Sequence, residues 1–306
     1  MDSVIDIIIV NWNTAALLQK CLDSIQKHVL GIEYNITVVD NASSDDSVMM
    51  LRTGFPQVDL IQNRENLGFA KANNIAMDRS KGKYLFLLNS DTMIKDNILQ
   101  GITLYMENHP HVGMLGCRLE LPNGCRQVGD AGYEPTAVTA FNFSFFLSRL
   151  FPRRCHGLFL NDNSETIVDV DWVSGAALIV RRDTLNDAGP LAENYFMYAE
   201  DIEWGIRIKR HGWKVQYYPA ATVTHYLGGS LTGAVSTSWI ENLFLYVKRT
   251  QTMWHYRLFV VIMSLGFLIR ILLYKTYLCI SHDEAVQKKY LSISAAFRRS
   301  LLYIGT

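Results

Sequence analysis

The sequence predicts an α/β protein built on a doubly wound, mainly parallel sheet flanked by helices, followed by a basic, apolar helical extension. Three observations predict it. Apolar strand-like runs alternate with amphipathic helical patterns over the first hundred residues. Each of the four runs stops at a polar cluster. The C-terminal region is basic and carries a long apolar run. Open α/β sheets bind ligands at the edge where their strands end, so four polar endings in succession mark a crevice.

The first strand covers Ile5 to Val10 and ends in Asn11-Trp12-Asn13-Thr14. Leu18, Cys21, Leu22 and Ile25 then recur at i, i+3, i+4 and i+7, the stripe of an amphipathic helix. Ile36 to Val39 forms a second strand ending in Asp40-Asn41-Ala42-Ser43-Ser44, and Val58 to Ile61 a third ending at Asn63-Arg64-Glu65-Asn66. A helix over Phe69 to Arg79 leads to the fourth strand, Tyr84 to Leu88. Its apolar run gives way at Asn89-Ser90-Asp91-Thr92 to an amide, a hydroxyl and a carboxylate. Helix capping is the competing account of any single ending. No strand is followed by G-x-G-x-x-G, which disfavours a dinucleotide-binding dehydrogenase; the acids and amides suit a nucleotide sugar with a metal.

Further along, Val112 to Arg118 reads as a strand before a turn at Pro122-Asn123-Gly124, and Phe141 to Phe151 as an amphipathic or membrane-touching helix. In Val168 to Arg182, Trp172 precedes a Ser174-Gly175-Ala176 bend and another apolar strand; its indole lines a pocket floor or packs in the core. Glu200 and Asp201 open a helix behind the aromatic approach Tyr195-Phe196-Met197-Tyr198. Helix capping competes there too, yet a carboxylate at the edge of an apolar cavity suits general-base work. The strand Pro219 to His225 ends in a histidine, a candidate metal ligand, followed by Gly228-Gly229-Ser230, a loop able to close over phosphates.

Composition narrows the class. The 306 residues include 49% hydrophobic and 19% charged residues, enough to bury a large core, and the net charge of zero argues against a nucleic-acid binder. Residues 241–306 hold nine Lys/Arg against three Asp/Glu, net +6, so the basic charge is concentrated at the C-terminal end. Five scattered cysteines without a C-x-x-C pair fit a reducing cytosol. The run Val4 to Val10, interrupted by Asp6 and lacking a basic flank, is too short for a signal peptide.

Taken together, NWN at Asn11 to Asn13, VDNASSDDS at Val39 to Ser47, NLGFAKANN at Asn66 to Asn74, LLNSDT at Leu87 to Thr92, WVSGAALIVRRD at Trp172 to Asp183 and the stretch Phe196 to His225 resemble glycosyltransferase family 2, and within it the bacterial rhamnosyltransferase-like branch. The resemblance spans residues 4–250. It implies a GT-A fold over residues 1–240, with a nucleotide-sugar half (about 1–120) and an acceptor half (about 121–240). It implies inverting transfer from a nucleoside-diphosphate sugar, dTDP-rhamnose being the favoured donor. Asp40 would then hydrogen-bond the base, Asn11, Asn66 and Asn74 would complete the nucleotide pocket, and Asn89, Ser90 and Trp172 would face the donor. Asp91 matches the last acid of the D-x-D motif and would bind Mg²⁺ or Mn²⁺; His225 matches a further ligand. Asp201 matches the catalytic base, supported by Glu200. Asn89 replaces the first acid of D-x-D, a variant of that branch, and leaves the metal dependent on the donor's phosphates.

Leu258 to Ile280 is apolar except for Arg270 and Lys275. A central arginine costs about 2.5–3.5 kcal/mol in a bilayer, so the expectation is an interfacial or re-entrant anchor on the cytoplasmic leaflet, with flanking basic residues on anionic lipid. Packing on the domain, or on a second subunit in a homo-oligomer, is the competing account. The expected protein is therefore peripheral on the inner face of the cell membrane, with a polyprenyl-linked saccharide as acceptor and a role in bacterial surface polysaccharide assembly. Two alternatives remain: a catalytically silent nucleotide-sugar-binding scaffold, motivated by Asn89, and a nucleotidyltransferase, disfavoured because no glycine-rich basic loop follows Val10.

Overall fold

The computed structural model describes residues 4–161, 165–226, 238–281 and 283–304. Gly228-Gly229-Ser230 lie outside the described residues. In chain order the elements are β1 (Ile5–Asn11), α1 (Ala15–His28), β2 (Tyr34–Asp40), α2 (Ser47–Gly54), β3 (Asp59–Gln62), α3 (Phe69–Arg79), β4 (Tyr84–Asn89), β5 (Thr92–Ile94), α4 (Ile98–Asn108), β6 (Val112–Glu120) and β7 (Ala131–Gly132). There follow α5 (Ala137–Ser144), α6 (Leu147–Leu150), β8 (Val168–Asp169), β9 (Trp172–Val173), β10 (Ala177–Arg181), α7 (Arg182–Ala188), α8 (Glu200–Arg210), β11 (Lys214–His225), α9 (Ser238–Thr250), α10 (Met253–Leu278) and α11 (Glu284–Leu301). They fall into two compact units: residues 1–131, 164–196 and 200–232, and residues 132–163, 197–199 and 233–306.

The first unit holds a sheet in the order β3-β2-β1-β4-β10-β6-β11-β5, with β8 also on β11. Strands β3, β2, β1 and β4 run parallel, as the alternation of strand and helix predicts. The sheet is nevertheless mixed, because β10 lies antiparallel between β4 and β6, and β5 and β8 run antiparallel to β11. Alternate side chains such as Ile7, Ile9, Phe86, Leu88 and Ile179 pack against Leu18, Leu22 and Ile25 of α1 and Leu99 and Ile102 of α4. That is the period-2 strand pattern meeting the helical stripe seen in the sequence.

The polar interruption of β1 has a structural cause. Asp6 is buried, and its carboxylate accepts hydrogen bonds from the backbone N–H groups of Lys81 (2.7 Å) and Gly82 (2.6 Å) and from Asn35 Nδ2 (3.2 Å), with Arg182 at 4.0 Å. It thereby fixes the turn that delivers β4 next to β1. Gly82 is required for this approach, since a Cβ there would come within 2.9 Å of Asp6.

The second unit is helical. The expected helix over Phe141 to Phe151 is broken: α5 stops at Ser144, and Phe146 takes φ +63° before the short α6 begins. Helix α10 is the one helix among the described residues long and apolar enough to cross a bilayer. Its Arg270, however, is buried, donating to the backbone oxygens of Phe143 (2.6 Å) and Ser144 (3.1 Å) at the end of α5. Its guanidinium lies 4.4 Å from the ring centres of both Phe143 and Phe146. The charge that the sequence presents as an obstacle to the membrane is thus a cap for the orphan carbonyls and negative end of α5. Gly266 lets the two helices meet, because a Cβ there would lie 2.4 Å from Ser144 Oγ.

Removing the Asp6 carboxylate strands two N–H groups, that of Gly82 buried and that of Lys81 partly so. Asp6→Ala is expected to lower unfolding free energy by about 2–5 kcal/mol in urea titration, with Gly82→Ala destabilising in the same direction.

Candidate active site

The register of the parallel strands brings their polar endings level. Asn11 sits opposite Asp40, and Val10 opposite Asn89. Asn11 Nδ2 donates to Asp40 Oδ1 (3.0 Å) and to Ser43 Oγ (3.1 Å), while the Ser43 N–H donates to Asp40 Oδ2 (3.0 Å). Thr14 Oγ1 donates to Asn11 Oδ1 (2.6 Å) and lies 2.8 Å from Ser90 Oγ; its one proton spent, it accepts from the serine. Asp40, Asn11, Thr14 and Ser90 therefore form one buried chain across the ends of three strands. Thr14 and Ser43 are members that the sequence reading does not single out.

Asn66 Oδ1 accepts from the Gly68 N–H (3.0 Å), shaping the turn into α3. Gly68 has φ +80°, and a Cβ there would come 2.5 Å from the Phe196 carbonyl, so only glycine lets this turn meet the segment ahead of Glu200. Asn74 is placed differently from the pocket that the resemblance implies. Its amide bonds both the N–H (3.1 Å) and the carbonyl (2.9 Å) of Leu191, and also Glu193, so it joins α3 to that loop.

Pairing of β11 with β5 sets His225 opposite Thr92 and brings its Nε2 to 3.1 Å from Asp91 Oδ1. Asn89 Nδ2 lies 3.5 Å from the same nitrogen. On the other side of the ring, Gln127 Oε1 is 2.8 Å from Nδ1. Both Asp91 and His225 are largely buried. Among the described residues no group of three or more His, Cys, Asp or Glu side chains converges on a metal position. What converges is a carboxylate oxygen and an imidazole nitrogen, hard and borderline donors that suit Mg²⁺ or Mn²⁺ when substrate oxygens complete the shell. The residues fit such an ion, which Asp91 and His225 would hold.

Asp201, in the first turn of α8, accepts from the Gly175 N–H through Oδ2 (3.1 Å) and from the Ile202 N–H through Oδ1 (2.9 Å). Gly175 belongs to the bend between β9 and β10 that the sequence marks, and its amide holds this carboxylate. Burial pushes the Asp201 carboxyl above the usual carboxylate range, with the Gly175 and Ile202 amides opposing the shift. Glu200 is buried beside it. The chain reaches α8 through Tyr198 and Ala199, two consecutive residues at φ +71° and +70°, a conformation costly for non-glycine residues. Trp172 is buried, and its backbone lies so close to α8 that a Cβ on Gly205 would come 2.8 Å from its Cα. Core packing beneath the helix that carries Asp201 is what the structure shows for it.

Residues 3–242 match the family model described as "Glycosyltransferase like family 2". The chain belongs to that family. It is a nucleotide-sugar glycosyltransferase with a GT-A-like fold. It is 26% identical over 243 residues to an N-acetylglucosaminyl-diphospho-decaprenol L-rhamnosyltransferase of Mycobacterium tuberculosis, covering 74% of this chain and 77% of that one. It is 27% identical over 170 residues to rhamnosyltransferase WbbL of Escherichia coli, covering 52% and 61%. In fold it is similar to mannosyltransferase PcManGT from Pyrobaculum calidifontis, solved with GDP-Man and Mn²⁺, at TM-score 0.65 and 14% identity, covering 99% of this chain and 87% of that one.

An enzyme whose general base is the desolvated Asp201 keeps that base protonated to higher pH than a free carboxyl group. The acid limb of its kcat/KM profile is therefore expected above the ordinary carboxylate value of about 4, activity appearing as pH rises through the raised Asp201 pKa. A limb at or below that value would assign the base elsewhere.

Proposed function

We propose that this glycosyltransferase moves L-rhamnose from dTDP-rhamnose, with inversion, onto a saccharide carried by a polyprenyl diphosphate at the inner face of the cell membrane, in assembly of a bacterial surface polysaccharide. The observation that carries the reaction type is Asp201: a desolvated carboxylate, aimed by two backbone amides, at the start of a helix. The activity of the mycobacterial relative supports the sugar and the acceptor class.

In this reading Asp201 takes the proton of the attacking acceptor hydroxyl as the new glycosidic bond forms and the bond from the anomeric carbon to the diphosphate breaks. One displacement with one base inverts the anomeric centre. Glu200 stays beneath it as a supporting acid. The rim built from Asn11, Asp40, Ser43, Thr14 and Ser90 orients the nucleoside, and Asp91 with His225 would hold Mg²⁺ or Mn²⁺. Bound there, the ion would offset the charge developing on the leaving diphosphate.

The helical unit supports the membrane reading. It carries twelve Lys/Arg against five Asp/Glu, net +7. Along α10, Trp254, Leu258, Val261, Leu265, Leu268 and Leu272 are all exposed at alternating spacings of three and four, forming one apolar stripe. Such a helix, with Arg270 buried in the protein on another face, suits lying in the plane of an anionic leaflet rather than crossing it.

Two measurements check these readings. Against a panel of dTDP-, UDP- and GDP-sugars with a prenyl-diphosphate acceptor, transfer is expected with dTDP-rhamnose and with a product of inverted configuration. Asp201→Asn should cut turnover by about 10²–10⁴-fold while leaving dTDP binding in place; unchanged turnover would favour a silent scaffold. In vesicle flotation, the triple change Val261→Glu, Leu265→Glu and Leu268→Glu should release the protein from anionic vesicles, and unchanged flotation would remove the membrane assignment of this face.

A further inference from the structure

We propose that Gln127 is a positioning residue which holds the Nδ1 proton of His225 and so turns Nε2 toward Asp91, and that the Arg126–Asp130 ion pair holds Gln127 there. This rests on reading Asp91 and His225 as the cation site. A carboxamide oxygen can only accept, so the 2.8 Å contact from Gln127 Oε1 requires the proton on Nδ1. The opposite nitrogen, Nε2, faces the Asp91 carboxylate at 3.1 Å, with the Asn89 amide farther off at 3.5 Å. A proton or a cation satisfies both atoms at that separation, and the Nδ1 contact leaves Nε2 as the nitrogen that meets it.

Gln127 is itself held. Its N–H bonds the Leu119 carbonyl (2.8 Å), closing the hairpin after β6. On either side of it, Arg126 grips the fully buried carboxylate of Asp130 through two hydrogen bonds, Nε–Oδ2 at 2.9 Å and Nη2–Oδ1 at 2.7 Å. The guanidinium lies 4.8 Å from the centre of the Tyr217 ring on β11, the strand that ends in His225. The hairpin and the strand are thus braced together, and the amide reaches the imidazole from a fixed base. A second partner of this kind fixes ring orientation and donor strength wherever histidine binds metal.

The test uses the full-length chain. In the metal-free protein, ¹⁵N NMR of labelled histidines, assigned with His225→Asn, should show Nδ1 of His225 protonated, and Gln127→Leu should lose that preference. By electron paramagnetic resonance with dTDP present, Gln127→Leu should weaken Mn²⁺ binding about 10–100-fold, whereas Gln127→Glu, which still accepts from Nδ1, should bind at least as well as wild type. Melting temperature and metal-free dTDP binding report whether each variant is folded; if Gln127→Leu is not, the NMR of the wild type and Gln127→Glu decides. A wild-type Nδ1 without a proton, or equal Mn²⁺ affinity in folded Gln127→Leu, would overturn the proposal. Asp91→Asn separates the two readings: if Mn²⁺ binds wild type and Asp91→Asn alike, the cation site itself is wrong, whereas loss in Asp91→Asn without loss in Gln127→Leu removes only the positioning role.

Discussion

The hydrogen bond between Asn11 and Asp40 is the constraint on which the nucleotide edge depends. Two neighbouring parallel strands are buried almost to their last residues and then end, directly opposite each other, in an amide and a carboxylate. Neither group could be buried without partners. Pairing them, and extending the pair through Ser43, Thr14 and Ser90, turns an energetic liability into an ordered polar rim. The loops that leave this rim bend through Asn13 and Ala42 at φ +55° and +61°, and the Asn13 side chain accepts from the Ser44 N–H to keep them together. A ligand meeting this rim meets groups already oriented.

The other half of the site is assembled by pairings that cross the sequence. Insertion of antiparallel β10 beside β4 brings the Gly175 amide to Asp201, and pairing of β11 with β5 brings His225 to Asp91. A bulge between Tyr218 and Thr222 shifts the register of β11 against β6 just before this point. Bulges re-aim a strand's side chains, and here the strand finishes at His225, the proposed metal ligand.

This division explains what was legible in the sequence. Strand endings, the Glu200–Asp201 pair and the terminal histidine are local patterns, so composition and period reveal them. Thr14, Gly175 and Gln127 are ordinary residues whose importance lies in partners 76, 26 and 98 positions away. No local rule predicts such a partner. Asn74 shows the opposite case: it matches a motif, and in the structure its amide bonds the Leu191 backbone. Arg270 shows a third. Hydropathy treats it as an interruption in an apolar run, but its environment is the carboxyl end of another helix, which only the tertiary structure supplies.

Asn89 follows from the same accounting of charge. Asn89 contributes a dipole and no charge, so Asp91 is the one carboxylate among these three groups. A second carboxylate would add attraction for a cation of about 4 kcal/mol per unit charge at 4 Å and an effective dielectric of 20, and would also repel Asp91. The asparagine forgoes both. On the proposed reading it leaves Asp91 without a like-charged neighbour on the motif and the remaining negative charge to the donor's diphosphate. A cation held this way would be tied to the donor, and linkage makes such a tie mutual: whatever factor the diphosphate adds to cation affinity, the cation returns to donor affinity. Asn89 would make the proposed site depend more heavily on that coupling than a pair of carboxylates.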